Sequence, residues 1–351
     1  MGSVARQLSE PSYAGLGDDQ HLAPIFASGV GPTRLAWKRR RAELLQQVRR
    51  VLGKPSFRSF VHAVDVVDRW DQPDCSATLV RQATGPNTRQ LLLKLEPRGA
   101  GCSRRPGAVV PYYHPDTMAG LDIKERKPLA EDRVIQFGRH LVQQGYVVVC
   151  TEAFPYNTVP EPQNNEGFAW WQAGTDRLLS ENPRWSGMAK LAWDTSLAVD
   201  YLLSQERIDP ERIVCIGHSL GGKMAFYTGA LDERIKAVVG SDFGLGFGFT
   251  NWDAPWYLGD RIHRPDFPWA HHHVLALMAP RAFLLIGGEA DRPASWQYLN
   301  AVKPVYQLFG RSEALGFFDH ASGHQPPEAA VRLAYRWLAG QFDLPEQPWN
   351  L

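Results

Sequence analysis

Ser219 stands in the stretch Gly217-His218-Ser219-Leu220-Gly221-Gly222, after the apolar run "IVCI" and before the helix-like "KMAFYTGAL". A serine hydroxyl is a weak nucleophile until a base takes its proton, and this setting suits that use. A strand-to-helix turn this tight drives its central residue toward positive φ, which costs a non-glycine residue about 1–3 kcal/mol. Gly217 and Gly221 remove the side chains that would clash on either side. The turn raises the hydroxyl above the strand end, at a helix N-terminus, and places the Leu220 N–H where an oxyanion would form. Chance alone produces about 0.1–0.3 G-x-S-x-G matches in a chain of this length. The strand before the motif and the helix after it therefore carry the reading.

The serine needs a base and the base needs an acid, in the chain order Ser, acid, His. "LLIGGEADRP" ends a later strand and offers Glu289 and Asp291; Asp242, closing "AVVGSD", is a rival one strand earlier. Asp291 is the expected acid, because it sits in the loop after the strand and Pro293 opens the next helix. "FFDHASGHQPPEAAV" offers His320 and His324. His324, in a glycine turn ahead of a proline-started helix, is the expected base. His320, nearer the strand, is read as bonding locally, and His218 as structural.

The elements that must hold these groups alternate. Strand-like runs "GAVVPYYH", "YVVVC", "RIVCIG", "IKAVVGSD", "RAFLLIGG" and "ALGFFDH" are separated by helical patterns. Near-continuous apolar strands of this kind predict an α/β fold, a mostly parallel sheet with helices on both faces. "SATLVRQAT" and "RQLLLKLEPRG" flank "GPN" and read as a hairpin. Residues 34–52 place Trp37, Leu44, Leu45, Val48, Val51 and Leu52 near one helical face, so residues 1–53 are read as an N-terminal arm and helix ahead of a catalytic domain over 54–345. Two stretches break the alternation, 155–186 and 241–273. Both follow strands and hold Trp170, Trp171, Trp185, Trp252, Trp256 and Trp269. Tryptophan at that density argues against disorder, so both are expected to be ordered insertions over the active site.

Composition excludes little but points one way. The formal charge of +1 gives no field that favours nucleic acid. The basic run from Lys38 to Arg41 reads as a solvated helix face. No stretch approaches the ~20 apolar residues of a membrane span, and the first twenty residues lack the apolar core of a signal peptide; the expectation is a cytoplasmic protein without membrane contact. Cys75, Cys102, Cys150 and Cys215 form no C-x-x-C pair and read as buried thiols. His263 and His271-His272-His273 lack a metal-site pattern, since adjacent helical residues do not share a face. Neither metal nor organic cofactor is expected. The one protein partner left open is a second copy of the chain.

The serine turn, the "GGEAD" loop and the "SGH" loop, in this order, resemble the α/β-hydrolase superfamily, and within it the dienelactone hydrolase and acetyl xylan esterase branch, over roughly residues 55–342. The resemblance implies a cofactor-free serine esterase working through an acyl-enzyme, on short acyl esters such as acetyl and on a small-molecule or carbohydrate substrate. A lactone or dienelactone hydrolase is the alternative, a non-catalytic binding protein on the same fold a remote one. A narrower likeness is to glucuronoyl esterases, which carry Lys four residues after the serine, as Lys223 does here, and a run similar to "VLALMAPRAFLLIGG". It implies that Lys223 reaches a sugar hydroxyl and brings in uronate esters. Those enzymes have Arg directly after the serine, where this chain has Leu220. Related esterases show His-Gly-Tyr at the second oxyanion loop; this chain has His114-Pro115-Asp116. Proline has no N–H, so Asp116 is the expected second donor, with Tyr113 and Thr117 as alternatives. Trp171, Trp252 and Trp256 are the expected substrate-binding aromatics.

Overall fold

The computed structural model describes residues 4, 7–8, 15–26, 29, 31–99, 104–164 and 166–351. A nine-stranded sheet forms its centre, in the order β1-β2-β3-β5-β4-β6-β7-β8-β9. The first three strands are β1 (Val64–Asp71), β2 (Cys75–Ala83) and β3 (Arg89–Pro97), and they are antiparallel to their neighbours. β2 and β3 are the hairpin expected around "GPN". The other six run parallel: β4 (Arg105–Pro111), β5 (Val147–Thr151), β6 (Ile208–His218), β7 (Ala237–Ser241), β8 (Ala282–Gly287) and β9 (Leu315–Asp319). All residues of β5, β7 and β8 are buried, as strands covered on both faces must be.

Helix α1 (Arg34–Leu52) has the bounds its apolar spacing predicts; Thr33 caps it by accepting from the Ala36 N–H at 3.1 Å. α2 (Pro115–Ala119) follows β4, and α3 (Phe137–Gln143) precedes β5. The insertion at 155–186 holds a helix the sequence did not announce, α4 (Ala169–Glu181), with Trp171, Gly174, Thr175 and Leu178 on its buried face. α5 (Gly187–Leu203) and α6 (Leu220–Leu231) flank β6, and α7 (His271–Ala276), α8 (Ser295–Gln307) and α9 (Glu328–Gln341) follow. The other insertion, 241–273, is ordered by turns and two short 3-10 segments.

The sheet register positions the chemistry. His218 on β6 pairs with Ser241 on β7, and Ser241 pairs with Ile286 on β8. The residues that leave β6 and β7, Ser219 and Asp242, therefore emerge side by side at the carboxyl edge, where parallel sheets place their ligand crevice. Cys75, Cys150 and Cys215 are buried free thiols; Cys102 lies outside the described residues. Among the described residues no helix is long and apolar enough to cross a membrane.

Candidate active site

Ser219 occupies the turn between β6 and α6 with φ 53° and ψ −116°, a strained conformation for a residue with a Cβ. Its neighbours enforce the turn. A Cβ on Gly217 would lie 2.2 Å from the carbonyl of Gly221, and one on Gly221 would lie 2.1 Å from the Pro111 oxygen. The Ser219 N–H donates to the Ser241 carbonyl at 2.8 Å, which ties the turn to β7. Leu220 begins α6, so its N–H belongs to the first turn, which has no intrahelical acceptor.

His324 donates from Nδ1 to Asp242 Oδ2 at 2.5 Å. This corrects the expectation that Asp291 would hold the histidine. Asp242 leaves β7 level with Ser219 and turns at once into the left-handed region, φ 43°. That turn aims its carboxylate at the loop after β8 and at His324. The Gly288, Glu289 and Asp291 N–H groups donate to its Oδ1 at 3.0–3.1 Å. Burial pushes the Asp242 carboxyl up, but the bonds from His324 and these amides outweigh it and hold the group well below the usual carboxylate range. In return the Asp242 hydrogen bond raises the His324 pKa, against partial burial.

Asp291 is fully buried and committed elsewhere. Its two oxygens accept from the Gly244 N–H at 2.8 Å, the Leu245 N–H at 2.7 Å and the Ser295 hydroxyl at 2.8 Å. Burial raises it to about 6 despite those donors. It thus pins the start of the 241–273 insertion, just beyond Asp242. Glu289 meets Asp242 through its N–H, and its charge adds to the attraction that raises His324. His320 bonds locally, Nδ1 to Ser322 Oγ at 2.8 Å. His218 is buried against the His324 ring, 4.6 Å between centroids, and is held neutral by desolvation, at about 3.

Ser219, Leu220, Asp242 and His324 open on one cavity of about 100 Å³, whose aromatic walls are Tyr113, Phe168, Trp171, Phe243, Trp256 and Tyr257. Trp171 and Trp256 come from the two insertions and meet at 5.9 Å. The exposed Phe168 stacks over Trp256 at 4.9 Å, at the mouth. Trp252 is not in the wall; it is fully buried one layer behind, its indole N–H donating to the Gly244 carbonyl at 2.7 Å. Trp170, Trp185 and Trp269 also lie outside this cavity.

Lys223 is in the wall. It is only 4% exposed, donates to Asn251 Oδ1 at 2.9 Å, and lies over the rings of Trp252 at 4.6 Å and Tyr257 at 4.2 Å. Burial pushes its ammonium down to about 7, against the attraction of Asp291 and Asp253. Asn251, Tyr257 and Phe168 were not singled out from sequence; all three sit in the insertions, where spacing carries no periodic signal.

Asp116 does not reach the cavity. Pro115 starts α2 immediately, and Asp116 lies in its first turn, half-buried, its Oδ1 accepting from the Thr117 N–H at 3.0 Å and its carbonyl from the Leu121 N–H at 3.2 Å. Tyr113, two residues before Pro115, lines the cavity instead. The histidine run binds the protein to itself: His271 contacts Tyr227 and the Leu245 carbonyl, each at 2.8 Å, and His272 the Ala23 carbonyl at 2.7 Å. Among the described residues no group of His, Cys, Asp and Glu is arranged to hold a metal ion.

A family profile described as "Glucuronyl esterase, fungi" matches residues 177–261, a span that includes Ser219, Lys223, Asp242 and Asn251. A carbohydrate esterase of an unknown prokaryotic organism is 26% identical over 235 residues, 60% of this chain and 52% of that protein. The 4-O-methyl-glucuronoyl methylesterase 1 of Phanerochaete chrysosporium is 26% identical over 170 residues, covering 40% of this chain and 36% of its own. Among solved structures, a glucuronoyl esterase from Solibacter usitatus superposes with a TM-score of 0.70 at 19% identity, over 93% of this chain and 98% of that one.

The chain is an α/β-hydrolase-fold protein. It is similar to carbohydrate esterases and glucuronoyl esterases, and spans about half the length of the carbohydrate esterase it matches. A Bacteroides fragilis protein described as a "putative acetyl xylan esterase" superposes with a TM-score of 0.64 at 17% identity, over 93% of this chain and 83% of that one.

Proposed function

We propose that this α/β-hydrolase is a serine carboxylesterase acting on carbohydrate esters, with the methyl or other alkyl ester of a sugar uronate as its preferred bond. The observation that carries the reading is the convergence of Ser219 and the Asp242–His324 pair on one small cavity walled by Lys223, Trp171 and Trp256. With Nδ1 committed to Asp242, Nε2 is the nitrogen left to serve Ser219. His324 takes the Ser219 proton as Oγ attacks the ester carbonyl, then returns it to the leaving alcohol. Water, activated by the same histidine, attacks the acyl-enzyme and releases the acid. Asp242 fixes the tautomer and offsets the imidazolium charge. The Leu220 N–H and the backbone beside Tyr113 stabilise the oxyanion.

Lys223 and Asn251 present donors to the substrate's hydroxyl oxygens, while the indole rings take the flat face of a sugar. The names of the similar proteins, glucuronoyl and 4-O-methyl-glucuronoyl esterases, support a uronate. A second reading, an acetyl ester of a sugar, is favoured by the cavity's small volume and by the likeness to an acetyl xylan esterase. The test is kcat/KM on methyl glucuronate against 4-nitrophenyl acetate and acetylated xylose. Preference for methyl glucuronate supports the first reading and preference for the acetyl sugar the second. Inactivity on all three removes both.

A further inference from the structure

A second and larger concavity, about 1000 Å³ against about 100 Å³, lies apart from Ser219. The last turn of α1 forms one wall. The floor is apolar and aromatic, from Trp185, Ala189, Ala192 and Trp193, the two indoles meeting edge to face at 6.0 Å. The rim is cationic. Arg49, Arg50, Lys54 and Arg184 line it, are exposed, and form no ion pair with any described residue. The acids of the groove are already engaged: Asp232 pairs with Arg234 and Glu233 with Arg41. The unmatched charge is therefore positive. The dipole of α1 favours cations at its C-terminal turn, which accounts for Arg49 and Arg50. It accounts for neither Lys54, Arg184 nor the aromatic floor.

The groove is built on a fixed junction. The Lys54 N–H donates to the Arg184 carbonyl at 3.1 Å, and the Ser186 N–H to the Leu52 carbonyl at 2.9 Å. Between them Gly53 has φ 73°, and a Cβ there would lie 1.5 Å from the Arg184 oxygen. This clamp sets Lys54 beside Arg184. The same segment continues to the catalytic cavity: the Met188 N–H donates to the Tyr257 carbonyl at 3.0 Å, and Tyr257 lines that cavity.

We infer that this groove is a second binding site, for an anionic oligosaccharide. Its carboxylates meet the guanidinium groups of Arg50 and Arg184 and the ammonium of Lys54, and its ring faces lie on Trp193 and the apolar floor. Guanidinium groups match carboxylates in planar, two-bond geometry, and an indole offers a flat apolar face. Nucleic acid shares the anion chemistry, but a net charge of +1 gives no wider field to hold it. The inference rests on the proposed function and extends it: the polymer that carries the ester held at Ser219 also carries free uronates for the groove.

Calorimetric titration of the Ser219→Ala protein tests it, with a short oligogalacturonate against a neutral xylo-oligosaccharide. The oligogalacturonate should bind more tightly than the neutral chain, and its affinity should fall at least about tenfold when Arg50→Glu and Arg184→Glu are combined. A gentler pair, Arg50→Gln with Arg184→Gln, should lose about threefold and covers the case in which charge reversal unfolds the chain. In enzyme that retains Ser219, either pair should leave kcat/KM on methyl glucuronate within about twofold while raising KM on a polymer-borne ester. No binding of oligogalacturonate, equal affinity after charge reversal, or tighter binding of a DNA oligomer would overturn the inference. Wild-type inactivity on methyl glucuronate would strike the proposed function instead, and so is told apart.

Discussion

Replacing Asp242 with Asn should cripple the enzyme, and replacing Asp291 with Asn should not. Asp242 Oδ2 receives the His324 Nδ1 proton at 2.5 Å. An amide nitrogen at that place would drive the imidazole proton to Nε2, where it blocks proton transfer from Ser219. Loss of the correct tautomer costs about 10⁴-fold in kcat. Asp291 makes three accepted bonds, to Gly244, Leu245 and Ser295, and none to His324. Asn keeps one acceptor oxygen and turns an N–H toward one of those donors, a cost of about 1–3 kcal/mol in stability and at most about tenfold in kcat. The pH profile separates the two further. Activity requires neutral His324, and its bond to Asp242 raises its pKa above the ordinary 6.5. The acid limb of kcat/KM in the wild type should therefore lie above that value, and in Asp242→Asn it should move to lower pH. The assay is kcat/KM on a methyl uronate ester from about pH 5 to about pH 9, with thermal unfolding in parallel. Greater damage from Asp291→Asn, or a limb that stays put in Asp242→Asn, would show that Asp242 does not orient His324.

Lys223→Met should raise KM on a uronate ester by about tenfold, since it removes the buried cation over Trp252 and Tyr257, and should change 4-nitrophenyl acetate turnover little. Gly217→Ala should destroy the serine turn, because the new Cβ meets backbone, not a movable side chain, at 2.2 Å; activity and Tm should fall together. Burial pushes Glu152 up to about 7, against its bond from the Leu91 N–H. A folded-state pKa raised above the unfolded 4.5 means stability that declines as pH rises from there to about 7. Glu152→Gln keeps the Leu91 acceptor, so its Tm should exceed the wild type's near pH 8 and match it near pH 5, by thermal scans at about those two pH values.

Ser219 was legible because its whole requirement is local: a strand, two glycines and a helix in sequence. The loop of His324 was legible for the same reason, ending a strand and preceding a proline-started helix. The acid was not. Asp242 and Asp291 both follow apolar strands, and the choice between them is made by the pairing of His218 with Ser241 and by the left-handed turn at Asp242. Pairing register and a single φ leave no trace in residue types. Lys223 was reached through its spacing from Ser219 and a family likeness; its burial was not legible, because Asn251, Trp252 and Tyr257 of the 241–273 insertion cover it. α4 hid inside a stretch that glycine, proline and asparagine marked as loop. β1 has mostly exposed side chains, and so lacked the apolar alternation that marks a strand.

The most direct test of the central claim compares initial rates on methyl glucuronate for the wild type and for Ser219→Ala, with circular dichroism showing both folded. Ester cleavage by the wild type and a fall of about 10⁴-fold or more in the variant are expected. A folded Ser219→Ala protein that keeps more than about a tenth of the wild-type rate would contradict it, since nucleophilic attack by Ser219 is the step it removes.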